Sequence, residues 1–284
     1  NYAQIINELC PEIKNTKAGA PLHCKKLPFL RNVITVGFKM PGCLEFDEAM
    51  ERAEAVSEEE IARMAAAVRP DDVCNMQYTS GTTGFPKGVM LTNDSMNAVA
   101  FNFIHAGIVL EKGQRFLGIM PIFSSYGLVC GIHMPLTLGL ELALIPRFYP
   151  QKIGEYVRKY KPSHMIATPA FYEILIDSEE MKDFDLSFLL TMGSGGDSMN
   201  AGLETKLEAF LKSHNVRYPL AQGYGMSEVS AAATFCVNDR YKKGSVGIPC
   251  IATTIGIFNP DTGEEVGYNT PGEVCITGKT MMKG

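Results

Sequence analysis

The sequence predicts an α/β fold of stacked, mostly parallel βαβ sheets covered by helices, with a small β-rich subdomain at the C-terminal end. Three observations carry that reading. Short apolar runs alternate repeatedly with amphipathic stretches, the rhythm of parallel strands joined through helices. The chain has 284 residues, 46% of them hydrophobic and 20% charged, enough to bury about three quarters of the surface its unfolded form would expose. Beyond Phe235 the pattern changes to short β-rich segments punctuated by Gly and Pro. This divides the chain into an α/β region, residues 1–235, and the start of the β-rich subdomain, residues 236–284.

The chain opens inside a helical pattern formed by Tyr2, Ile5, Ile6 and Leu9, and Val33 to Val36 reads as a strand. Glu45 to Val68 is acidic and rich in Ala, and reads as one or two exposed helices leading to the Arg69-Pro70-Asp71-Asp72 break. Val73 to Tyr78 reads as a buried strand, Asp94 to Ile108 as a helix, and Phe116 to Met120 as the next strand. Leu128 to Ile145 is the most apolar stretch. His133, Pro135 and Glu141 interrupt it, so it reads as a buried helix followed by the strand Leu140 to Ile145 rather than a membrane span. The alternation continues with a helix at Ile153 to Tyr160, strands at Met165 to Thr168 and Leu189 to Met192, and a helix at Ala201 to Ser213. Gly244 to Ile248, Thr253 to Phe258, the turn Asn259 to Gly263 and Gly272 to Thr277 make up the β-rich end.

A formal net charge of -5 argues against a nucleic-acid partner or a polybasic membrane surface and points to a small-molecule partner. The eight cysteines form no C-x-x-C pair and have no His at zinc-ligand spacing, so they read as reduced core thiols. No signal sequence follows Asn1, and the expected location is the cytoplasm. The chain looks cut at both ends, and its oligomeric state is not legible.

The most informative segment is Tyr78 to Thr92, YTSGTTGFPKGVMLT. Glycine lets backbone N–H groups converge closely on an anion. Hydroxyls of Thr79, Ser80, Thr82 and Thr83 add donors, and Lys87 adds a point charge. The loop suits phosphate. It is not the Walker pattern, because Pro86 precedes Lys87 and Gly88 follows it.

With Gly81, Gly84, Pro86, Lys87 and Gly88 in this order, the segment resembles the phosphate loop of the adenylate-forming superfamily, which includes acyl- and aryl-CoA synthetases, peptide adenylation domains and luciferases. Further parts of that pattern follow in order: GSGGDSM, Gly193 to Met199; QGYGMSE, Gln222 to Glu228; and GEVCITGKTMMKG, Gly272 to Gly284. The resemblance covers essentially the whole chain and is closest to the acyl-CoA synthetase (fatty-acid–CoA ligase) branch, in its large N-terminal domain. It implies that ATP or AMP is held by Thr79, Ser80, Gly81, Thr82, Thr83, Gly84 and Lys87, by Gly195, Gly196 and Asp197, and by Gln222, Gly223, Tyr224, Gly225 and Ser227. Tyr224, between two glycines, offers a ring for a base to stack on. Glu228 is a hard oxygen ligand suited to Mg²⁺. Lys87, Ser227 and Glu228 are the expected catalytic residues.

In Pro121-Ile-Phe-Ser-Ser-Tyr-Gly127, Ser124 stands where the family usually has His. The acid pocket is expected at Phe123, Ser124, Tyr126 and Gly127, and Arg147 lies where relatives often carry a basic residue near coenzyme A. Mostly apolar lining suits an aliphatic or simple aromatic acid. The implied function is Mg-ATP-dependent activation of a carboxylic acid, with a fatty acid favoured, followed by transfer to coenzyme A, by an AMP-forming ligase of which this chain alone is inactive or weakly active. The ribose-binding Asp motif and the C-terminal catalytic Lys of the family would lie beyond Gly284. Two alternatives stay open: an aryl- or amino-acid adenylating domain that loads a carrier protein, and a nucleotide-binding pseudo-enzyme.

Overall fold

A computed structural model describes residues 2–80 and 84–284. The chain forms two compact units, Asn1–Val68 and Arg69–Gly284.

In the first unit, α1 (Tyr2–Leu9) runs into a 3₁₀ turn at Pro11–Asn15, and β1 (Ile34–Thr35) pairs in parallel with β2 (Leu44–Glu45). Cys10, Ile13, Leu22, Cys24 and Cys43 form its small buried core. The acidic stretch folds as expected into α2 (Phe46–Glu51) and α3 (Glu58–Ala67), neither of which buries a residue. The Ser57 hydroxyl starts α3 by accepting the Glu60 N–H, satisfying one of the orphan donors of a helix N-terminus.

The second unit begins with an antiparallel ribbon of β3 (Val73–Thr79) and β4 (Lys87–Thr92). β3 departs from the expected buried strand: Val73, Met76 and Tyr78 are exposed. Among the described residues, β3 pairs with β4 alone. β4 buries Val89, Leu91 and Thr92 and leads into α4 (Asn93–His105) through a reciprocal cap between Thr92 and Ser95.

A seven-stranded sheet follows, built from β5 (Arg115–Gly118), β6 (Glu141–Leu144), β7 (His164–Ala167), β8 (Thr191–Ser194), β9 (Ala221–Tyr224), β10 (Thr234–Cys236) and β11 (Ile248–Pro249). Its order is β11-β10-β9-β8-β7-β5-β6. β6, β5, β7, β8 and β9 run parallel, while β10 and β11 add antiparallel pairs at one edge. Side-chain alternation feeds two cores. Leu117 and Met165 face one cluster with α6 (Ile153–Tyr160), α7 (Pro169–Ile176) and α8 (Ala201–Ser213), while Phe116 and Ile166 face another with α4 and the Tyr126–His133 helix. That helix has a widened, π-type winding and passes directly into α5 (Met134–Thr137) and then β6, as the apolar stretch predicts. Fully burying one side chain such as Leu207 or Leu175 contributes about 1.5–3 kcal/mol.

One boundary moved. The strand expected at Leu189 to Met192 begins at Thr191 and runs into Ser194, because Leu189 is buried in the preceding turn, where its N–H donates to Leu186 O. β12 (Thr253–Phe258) and β13 (Glu273–Gly278) close the chain as an antiparallel hairpin. Among the described residues no helix is long and apolar enough to cross a membrane.

Candidate functional site

The register of β8 against β9 pairs Gly193 with Ala221 and Ser194 with Gln222. The GSGG and QGYG motifs therefore meet at the C-terminal ends of parallel strands, where open α/β sheets place their ligands. A cavity of about 290 Å³ lies there. Its polar wall combines the motif glycines Gly195, Gly196, Gly223 and Gly225 with Gln222, Tyr224 and Ser227, and Ser124 and Tyr126 complete it from the Pro121–Gly127 segment.

Two serines join these walls. Ser125 Oγ lies 3.2 Å from Ser227 Oγ across 102 positions of sequence. The Ser124 hydroxyl is spent locally: it donates to Pro121 O at 2.8 Å and accepts the Gly127 N–H at 3.1 Å. Gly127 is required by closeness, since a Cβ there would lie 2.1 Å from Pro121 O. The Tyr126 ring packs over Gly195 and Gly196, 3.5 Å from where a Cβ on either would sit.

The glycines beside Tyr224 have a steric reason that the sequence reading did not give. A Cβ on Gly225 would lie 1.4 Å from Ala231 O, so the chain folds back on itself directly after Tyr224. Tyr224 itself is half-buried, its N–H donating to Thr234 Oγ1 at 3.0 Å. The turn Ser227–Val229 follows, and Ser230 (φ 56°) and Ala231 (φ 106°) are consecutive non-glycine residues in the left-handed region, a conformation that costs free energy and is concentrated at functional sites.

Gln222 is oriented from behind. Its Nε2 donates to the buried Glu204 carboxylate at 2.6 Å, which also accepts the Gly244 N–H and competes with Glu208 for the single proton of the Tyr241 hydroxyl. Two donors are therefore committed to this buried carboxylate, as burial of a polar group requires.

The remaining expected residues lie outside the cavity wall. Glu228 is next to Ser227; its carbonyl accepts the Met282 N–H at 2.8 Å, and its half-buried carboxylate has no hydrogen bond or ion pair among the described residues. Lys283 N–H donates to Met90 O at 2.8 Å, so residues 282 and 283 tie the Glu228 turn to β4. Lys87 is exposed at the start of β4, in register with Thr79. Ser80, Gly84, Asp197 and Phe123 are exposed. Gly81, Thr82 and Thr83 lie outside the described residues. Arg147 is exposed too, with its guanidinium 5.5 Å from the Tyr149 ring centroid.

The apolar lining of the cavity was not foreseen. Phe103 from α4, Phe235 from β10, and Ile108, Cys130, Ile166 and Val237 contribute it, with the two phenylalanine ring centroids 4.5 Å apart, edge to face. No local sequence signal marks these residues, because the sheet brings them together from distant positions.

The chain belongs to the AMP-binding enzyme family, whose model matches residues 15–284. It is 34% identical over 218 residues to a long-chain-fatty-acid–CoA ligase of Bacillus subtilis, covering 75% of this chain and 38% of that protein. It is 31% identical to 4-coumarate-CoA ligase 1 of Narcissus pseudonarcissus, covering 81% of this chain and 43% of that protein. Among solved structures it is similar in fold to the luciferase-like enzyme of the mealworm Zophobas morio, with a TM-score of 0.74 at 23% identity, over 89% of this chain and 58% of that one. The chain spans about half the length of the curated relatives it matches.

Proposed function

We propose that this chain is the large-domain part of an AMP-forming acyl-CoA synthetase. In the intact protein, a carboxylate attacks the α-phosphorus of ATP and expels pyrophosphate; the thiol of coenzyme A then displaces AMP from the acyl adenylate. The single observation that carries the proposal is the cavity joining the GSGG, QGYGMSE and Pro121–Gly127 motifs, with a polar wall and an apolar lining.

The attacking carboxylate is ionised at neutral pH, so the first step needs no general base, and catalysis is positioning and charge stabilisation. On this reading Tyr224 stacks on the base, Gln222 is held by Glu204 through its Nε2, and Gly195, Gly196 and Asp197 line the nucleotide side. The Thr79–Gly84 loop and Lys87 hold the phosphates, and Ser227 donates beside them. Glu228 fits Mg²⁺, because its carboxylate is uncommitted among the described residues and is a hard donor. When bound, that ion neutralises phosphate charge.

Phe103, Ile108, Ile166 and Phe235 would take the hydrocarbon part of the acid, which supports a fatty acid or a simple aromatic acid, and Phe123 and Arg147 stand at the outside, Arg147 toward coenzyme A. The residues that line this site run from Phe103 to Val237, and the β-rich subdomain is taken to follow them. A nucleotide-binding pseudo-enzyme is the second reading, favoured by Ser124, whose hydroxyl is committed to Pro121 O and Gly127 N–H where an imidazole is usual.

The test is product formation by the intact protein with ATP, an acid and coenzyme A. A thioester made with coenzyme A alone supports the synthetase; adenylate that passes only to a carrier protein identifies an adenylating domain instead.

A further inference from the structure

The first unit contains a cluster of chemistry with no part in the nucleotide site. Cys10 ends α1, with its N–H donating to Ile6 O at 2.8 Å; Glu12 follows in the 3₁₀ turn, and Cys24 returns from the loop beyond. The two Sγ atoms and a Glu12 carboxylate oxygen lie within 4.8 Å of one another. Both cysteines are buried, at 0% and 3% exposure, among Ile13, Leu22 and Cys43.

Two further observations concern the charge this cluster can carry. Glu12 Oε2 is shielded from solvent and has no hydrogen-bond partner among the described residues, which leaves that oxygen open to a further ligand. The Leu27 N–H points at Cys24 Sγ at 3.3 Å, the kind of donor that stabilises a thiolate ligand.

We propose that Cys10, Cys24 and Glu12 bind a zinc ion, with a fourth position open to water. Two thiolates select a soft or borderline cation over Mg²⁺ or Ca²⁺, and a thiolate pair with one carboxylate is a donor set that zinc accepts. Zinc–sulfur bonds of about 2.3 Å in a tetrahedron need the ligand atoms to lie well inside the 4.8 Å that bounds this cluster. Binding breaks two S–H bonds and releases two protons to solvent, forms two Zn–S bonds, and uses Glu12 in its ionised form, so no oxidant or reductant takes part. The ion would pin the C-terminal end of α1 to the loop at Cys24, a staple of the kind small cores use.

The test uses the full 284-residue chain, expressed in zinc-supplemented medium and purified with a thiol reductant and no chelator. Metal analysis should return about one zinc per chain, retained on dialysis. Replacement by Co²⁺ should give an intense near-ultraviolet sulfur-to-cobalt charge-transfer band, a readout that needs no variant. Cys10→Ser and Cys24→Ser should each abolish that band, and Glu12→Gln should weaken zinc binding by at least about 10-fold. A reduced wild-type chain that holds no more zinc than the Cys10→Ser/Cys24→Ser double variant and gives no cobalt–thiolate band overturns the proposal. So does recovery of the pair only as a Cys10–Cys24 disulfide that binds no metal after reduction.

Discussion

Ser125 Oγ and Ser227 Oγ stand 3.2 Å apart, joining the Pro121–Gly127 segment to the QGYGMSE turn inside one cavity. On the proposed mechanism this contact places the segment that holds the acid beside the residue that faces the phosphates. Replacing Ser227 by Ala removes a donor from both. Acid-dependent ATP–pyrophosphate exchange by the intact protein should fall by about 10²-fold, the loss typical of one well-placed donor. Ser125→Ala should cost less, and a double variant no worse than Ser227→Ala alone would show the two hydroxyls acting as a unit.

Glu228 supplies the cation site on this account. Glu228→Ala should reduce exchange by about 10²- to 10³-fold, equivalent to roughly 3–4 kcal/mol, with a steeper dependence on Mg²⁺ concentration. Lys87→Ala should lose less, because Lys87 is exposed at the mouth of the β3–β4 ribbon. Full exchange activity in Glu228→Ala would remove the metal assignment.

Gly225 is a steric requirement. Gly225→Ala puts a methyl group where Ala231 O now lies, 1.4 Å away, and backbone must move. The expected loss of stability is about 1–3 kcal/mol, read as a lower unfolding midpoint, together with weakened nucleotide binding. Gly84→Ala, whose Cβ would meet nothing within 4 Å among the described residues, should leave the midpoint closer to wild type despite its positive φ of 90°. Equal midpoints for Gly225→Ala and wild type would contradict the geometry.

His164 makes stability depend on pH. Its Nε2–H donates to Gln114 Oε1 at 2.7 Å, an oxygen fixed as acceptor because it also takes the Glu111 N–H at 2.8 Å, and Nδ1 is buried without a partner. Burial lowers its pKa from the ordinary histidine value of about 6.5 to about 4. The unfolded chain therefore binds the extra proton first as pH falls. The stabilising contribution of the neutral ring is complete above about pH 6.5 and is lost progressively toward pH 4, by about 3 kcal/mol in all. Denaturant unfolding across that window should show a shallower pH slope for His164→Gln than for wild type. Identical slopes would mean that His164 does not set it.

Much of this was legible because the signals are local. Ile153–Tyr160 and Ala201–Ser213 were bounded by their own apolar periodicity, and Thr253–Phe258 by flanking turn residues. The strand at Thr191–Ser194 was misplaced because a buried Leu189 looks the same in a turn as in a strand. The motif glycines identified the polar wall of the cavity, while its apolar lining depends on Phe103 meeting Phe235 across 132 positions, a contact fixed by sheet order and invisible to any local window. The strained pair Ser230 and Ala231 was equally hidden, since neither residue type favours positive φ.

The most direct measurement is ATP–pyrophosphate exchange by the intact parent protein against acetate, octanoate, palmitate, a cinnamate and a set of amino acids. The account predicts exchange that depends on an acid with an apolar body, a fatty acid or a cinnamate, and none with amino acids. ATP binding without exchange in the presence of any of these acids would contradict it and identify a nucleotide-binding protein that no longer activates a carboxylate.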